Sequence, residues 1–170
     1  MILVVADTSP IHYLLIIQEI EVLARLYDHV VIPSAVYREL THPHAPALAR
    51  TWVSSLPKWA EVRAASQVEL GGILDPGEAE AIALAQELKA DSVLLDEAEG
   101  RQEALRRGLA VSGTVGVLEK AAERDLVDLS EAFERLARTN FRIAPELLRE
   151  ALQRDAERHI SLEQDRNIER

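Results

Sequence analysis

Short, uninterrupted apolar runs constrain this chain more than any other feature. ILVVA (2–6), HVVIP (29–33), SVLLD (92–96) and LAVSG (109–113) are each too short to be helices and mostly β-branched or aliphatic. Such runs read as strands covered on both faces, as in a parallel sheet. WAEVRAA (59–65) alternates instead, as an edge strand does. Helical patterning fills the gaps at 11–27, 34–40, 46–55, 76–89, 98–107 and 114–125, with a break expected near Gln18–Ile20. THPHAPA (41–47) and SQVELGGILDPG (66–77) read as loops. Strands alternating with helices predict an α/β fold, three α/β/α layers around a mainly parallel sheet. That domain is expected over 1–125. Helices over 126–157 are expected to pack on it as a C-terminal appendage, followed by a charged tail at 158–170.

Composition narrows the function classes. Aromatic residues are 4% of the chain, so the core must be aliphatic. There is no cysteine, which removes disulfides, thiolate metal sites and cysteine nucleophiles. The N-terminus has no basic leader and its apolar run is too short to span a membrane, so a cytoplasmic protein with no membrane partner is expected. The formal net charge of −10 argues against broad attraction to nucleic acid. It leaves room for an acidic site neutralised by metal.

Sites in open α/β sheets form at the carboxyl ends of the strands. Asp7 follows ILVVA and Asp96 follows SVLL, so both should emerge at one edge. A helix N-cap accounts for either alone; the two together indicate a site. At about 100° per residue, the helix from residue 76 turns Glu78 into the apolar arc of Ala81, Ile82, Ala85 and Leu88. Glu80 falls on the polar face beside Glu87. Asp75, Pro76 and Glu78 also spell a capping box. In the helix after Pro33, Glu39 falls inside the arc of Ala35, Val36 and Leu40 while Arg38 points outward. Asp7, Glu39, Glu78 and Asp96 could therefore converge, with Glu97 or Glu99 as a further member. Four carboxylates together repel one another unless a cation joins them. Oxygen-only ligands favour Mg²⁺ or Mn²⁺, and such ions serve phosphodiester hydrolysis.

In order and spacing, VVADTSP, VVIPSAVYREL, LDPGEAEAIALA and SVLLDEAEGRQEALRRGLAVSGTVGVL resemble the PIN-domain family, in particular its VapC-like branch of toxin-type ribonucleases. The resemblance spans roughly residues 3 to 120. It implies a parallel-sheet α/β/α nuclease fold and Mg²⁺- or Mn²⁺-dependent cleavage of RNA. The ions would be held by Asp7, Glu39, Glu78 and Asp96, supported by Thr8 or Ser9 and by Glu97 or Glu99. It also implies an antitoxin partner and a homodimer. The stretch after Asp96 departs from the family's common acidic-aromatic ending, which leaves the fifth acidic position open between Glu97 and Glu99. Arg101, Arg106 and Arg107 are the nearest basic cluster for RNA, or else a solvated helix face. Two alternatives stay open. One is a catalytically inert PIN-like binding module. The other is a different Mg-dependent phosphoryl-transfer protein, although Ser9 stands where a haloacid-dehalogenase-type phosphatase carries its second aspartate.

Overall fold

The computed structural model describes residues 1–69 and 72–169, so Leu70 and Gly71 of the expected 66–77 loop and Arg170 of the tail lie outside the described residues. The chain divides into two compact units, Met1–Thr114 and Val115–Arg170. In the first, β1 (Leu3–Ala6), β2 (His29–Pro33), β3 (Ala60–Arg63), β4 (Ser92–Leu94) and β5 (Val111–Ser112) form a sheet in the order β3-β2-β1-β4-β5. Every pairing among these described strands is parallel. Helices flank the sheet, and Val4, Val5, Val31, Val93 and Leu95 are fully buried. That two-sided burial is the reason the central strands read as unbroken apolar runs.

The first helical segment breaks where expected. Helix α1 (Thr8–Ile16) ends before Gln18, which takes φ +63, and α2 (Val22–Leu26) restarts the run. Leu14 and Ile17 are core residues. Helices α3 (Ser34–Thr41), α4 (Ala47–Val53), α5 (Pro76–Glu87) and α6 (Ala98–Arg106) complete the unit, and α7 (Thr114–Glu123) begins at its last residue.

One helix-wheel expectation is overturned. Glu80 is not on a solvated face; it is 6% exposed. Over its first turns α5 is buried on all sides, Gly77 through Ile82 included. What meets the supposed polar face is the N-terminus of α3 rather than water. The Glu80 carboxylate accepts hydrogen bonds from the Ala35 amide (2.6 Å), the Ser34 hydroxyl (2.8 Å) and the Ala65 amide (3.0 Å). It caps α3, which has no capping side chain of its own. Glu80→Ala leaves these donors unpaired and is expected to cost about 2–4 kcal/mol in urea unfolding. Glu80→Gln, which keeps one acceptor oxygen, is expected to lose about half as much. A neutral Glu80→Ala would show the clamp to be dispensable.

The second unit contains the rest of α7 with α8 (Leu129–Ala137) and α9 (Pro145–Ile168). Asp128 caps α8 by accepting from the Glu131 amide. Helix α9 runs to Ile168, well past the end expected near 157. Within it Gln153 bonds Glu157, and both Arg158 and His159 lie against Asp155. Such i,i+3 and i,i+4 pairs sustain an exposed, charged helix. Among the described residues no helix is long and apolar enough to cross a membrane.

Candidate active site

The strand order runs outward in both directions from the β1–β4 pair, so the sheet's topological switch lies there. A crevice outside the carboxyl ends of such strands is where open α/β sheets bind ligands. Asp7 directly follows β1, and Asp96 stands two residues beyond the end of β4. In-register pairing of Ala6 with Leu94, with the Asp7 amide donating to the Leu94 carbonyl (3.1 Å), brings both aspartates to this edge.

Asp7 is 5% exposed and its carboxyl is pushed up to about 8. Burial is the main cause, opposed by a hydrogen bond from the Thr8 backbone and reinforced by the charges of Asp75, Glu39 and Glu78. Gly77 shows how tightly the group is drawn together. A Cβ there would lie 3.0 Å from Asp7 Oδ1, 3.0 Å from Glu39 Oε1 and 3.3 Å from Asp75 Oδ1. Only a glycine lets α5 begin against three carboxylates. Gly77→Ala is therefore expected to lose about 1–2 kcal/mol of stability and to weaken stabilisation by Mn²⁺ in a thermal melt. Wild-type behaviour on both counts would show that the carboxylates part without cost.

Glu78 is buried, as expected, and completes the capping box. Its amide donates to Asp75 (2.8 Å) and its carboxylate accepts from the Asp75 amide (3.1 Å). Burial, followed by the charges of Asp75, Glu97 and Glu99, raises its carboxyl, against the lowering effect of the Asp75 amide. Gly100 makes room for it, since a Cβ there would sit 3.1 Å from Glu78 Oε1. Glu97 and Glu99 are exposed and both act on Glu78, so the structure does not separate them as the fifth acidic position.

Glu39 corrects a second expectation. It does not point into the core but is exposed at the rim of the crevice. Ala35, Val36 and Leu40 carry the buried face of α3 without it. Its partner is the Thr8 hydroxyl, which donates to Glu39 Oε2 at 2.6 Å.

Asp96 is half-buried and accepts hydrogen bonds from the Ser9 hydroxyl (2.8 Å), the Thr114 amide (2.7 Å) and the Thr114 hydroxyl (2.7 Å). Thr8 and Ser9 thus each hold one acidic side chain. Sequence reasoning missed Thr114, which is fully buried. Its signal was available, because it follows an apolar strand run just as Asp7 and Asp96 do. Asp75 was legible only as a cap, yet its charge acts on both Asp7 and Glu78.

The basic residues divide. Arg101 donates to the Leu95 carbonyl (2.9 Å), and its Nη1 and Asp96 Oδ1 both lie 2.8 Å from the place a Gly113 Cβ would occupy. Arg106 and Arg107 are tied to Glu103, and their hydrogen bonds hold its carboxyl down at about 2. Both guanidiniums are thus paired with Glu103 on their own helix face, although the Arg106 side chain stays 70% exposed.

Among the described residues, no three histidine or acidic side chains stand in a finished metal-holding arrangement. The donor chemistry nonetheless fits a hard divalent cation. The donors are all oxygen, and a carboxyl kept protonated chiefly by burial, with its acidic neighbours adding to the effect, is the electrostatic state that a cation relieves.

The family model for DUF3368, a PIN domain, matches residues 3–157. No curated protein matches the chain. Among solved structures, a PilT N-terminus domain protein from the hyperthermophilic archaeon Sulfolobus solfataricus matches with TM-score 0.54 and 20% identity, covering 71% of this chain and 93% of that one. At that identity the likeness concerns the fold alone, and it agrees with the parallel sheet and flanking helices described above. With a family match spanning nearly its whole length and an acidic crevice at the switch point of a parallel sheet, the chain belongs to the PIN-domain family.

Proposed function

We propose that this chain is a metal-dependent endoribonuclease that hydrolyses RNA phosphodiester bonds. PIN domains are commonly nucleases and typically use divalent metals. The observation that carries the reading is the buried Asp7 gathered with Glu39 and Asp75 against Gly77, at the carboxyl edge of the sheet. Asp7, Glu39, Glu78 and Asp96 would hold Mg²⁺ or Mn²⁺. A bound ion of this kind acidifies an attacking water and stabilises the leaving oxygen. The protein's own part is orientation. Thr8 fixes Glu39, while Ser9 and Thr114 fix Asp96.

The order of motifs supports a narrower reading, in which the chain is the toxin-type member of a toxin–antitoxin pair, held by an antitoxin protein and acting as a cytoplasmic homodimer. The test is direct. The full chain should cleave single-stranded RNA with Mn²⁺, stop when the metal is chelated, and melt at a higher temperature when Mn²⁺ is added. Undiminished cleavage by the Asp7→Asn, Asp96→Asn double variant would sink the assignment. Folded protein with neither cleavage nor a Mn²⁺ shift would instead indicate an inert binding module.

A further inference from the structure

The two histidines of THPHAPA have no part in the site just described, yet the fold brings them to its border. An open groove is lined by Ala35, Arg38 and Glu39 of α3, by His42, His44 and Ala45 of the following turn, and by Pro76 at the head of α5. Its volume is about 560 Å³, ample for a nucleotide. Glu39 and Pro76 join it to the acidic crevice, since Gly77 follows Pro76 and Glu39 lies against Gly77.

The far end of the groove has a different character. The His42 and His44 rings are stacked, with centroids 5.2 Å apart and planes 30° from parallel. The turn fixes them. The Ala45 amide bonds the His42 carbonyl (2.8 Å), Pro43 occupies the second position, and the His44 amide donates to His42 Nδ1 (3.1 Å). Both histidines are exposed and neither supports the core. Arg38 is exposed as well. Unlike Arg106 and Arg107, it enters no ion pair among the described residues. A flat ring pair held by its own backbone beside an open guanidinium suits a nucleobase next to a phosphate.

We propose that this groove is the path of a single RNA strand leaving the acidic crevice, with a base stacked on the His42–His44 pair and the adjoining phosphate held by Arg38. The proposal rests on the nuclease reading for its ligand, but its test does not depend on cleavage. The probe is a short, fluorescein-labelled single-stranded RNA with phosphorothioate linkages, and binding to the full chain is followed by anisotropy in Mg²⁺. The His42→Ala, His44→Ala variant is expected to bind about tenfold more weakly. The His42→Phe, His44→Phe variant keeps flat rings and should stay within about threefold of wild type. Arg38→Ala should flatten the salt dependence by about one phosphate contact.

Wild-type affinity in the alanine pair would overturn the proposal, as would equal loss in the phenylalanine pair or an equal ring effect on blunt duplex RNA. Metal-dependent cleavage by the wild-type chain is scored separately. Cleavage without a ring effect leaves the nuclease reading standing and removes the groove. A ring effect without cleavage does the reverse.

Discussion

Asp7→Asn is expected to abolish cleavage and, at neutral pH, to make the protein more stable. The cost of Asp7 follows from its titration. Below the ordinary value of 3.8 the carboxyl is protonated whether the chain is folded or not, and it costs nothing. Between there and about 8 the unfolded chain releases the proton while the native state keeps it. The native state thus binds more protons, and stability falls as pH rises through that window. Full linkage sets an upper bound of about 4 kcal/mol at pH 7. Asparagine has the same shape and no proton to lose. In chelator at about pH 7.5 the variant should therefore melt several degrees above wild type, and the gap should close near pH 4, where both side chains are neutral. Mn²⁺ should raise the melting temperature of wild type far more than that of the variant, because the cation relieves what the substitution has already removed. Cleavage should fall by roughly 10³-fold. A variant that melts at or below wild type at pH 7.5 would mean that Asp7 is not confined as described. Retained cleavage would exclude it from the chemistry.

What could be read from the sequence, and what could not, divides on a physical line. Strands covered on both faces advertise themselves, because burial on both sides leaves no position for a polar residue. The carboxyl ends of β1 and β4 follow from that, and with them the edge at which Asp7 and Asp96 emerge; the register that sets Ala6 beside Leu94 does not. The left-handed turn at Gln18 was visible as a failure of helical period. Side-chain direction on α3 and α5 was less legible, because a helical wheel describes one helix and says nothing of what packs against it. Glu80 lies on the face the wheel assigns to solvent, yet the N-terminus of α3 covers that face and turns a surface glutamate into a cap. Glu39 lies in the arc assigned to the core, yet the crevice opens beside it. Asp75 and Thr114 were hidden by adequate local explanations, a helix cap and a helix start, until the sheet edge brought them beside Glu78 and Asp96. The pairing of Arg106 and Arg107 was open to a simpler reading. Glu103 stands three and four residues before Arg106 and Arg107, a spacing that already predicts capture.

Asp96 should give the opposite stability result from Asp7, although both are placed in the same chemistry. Its carboxylate is the acceptor for three donors, and Thr114, which contributes two of them, is fully buried. The Thr114 amide is also the first of α7, where a negative charge is favoured. Asp96→Ala removes the acceptor and leaves a buried amide and hydroxyl without a partner. The expected cost is about 2–4 kcal/mol, with cleavage lost as completely as in the Asp7 variant. Asp96→Asn keeps an oxygen for the Thr114 amide, so it should recover much of the stability and none of the cleavage. Coupling to Thr114 is measurable. Thr114→Val should cost less in the Asp96→Ala background than in wild type, because the hydroxyl it removes has already lost its acceptor. Urea unfolding of the four proteins reads this directly, and additive costs would show that the two side chains do not interact. Should Asp96→Ala prove as stable as wild type while Asp7→Asn is stabilised, the crevice would be strained throughout. A loss at Asp96 beside a gain at Asp7 instead marks one carboxylate held for the fold and its neighbour held against it, which is the arrangement expected where stability is given up for a reactive site.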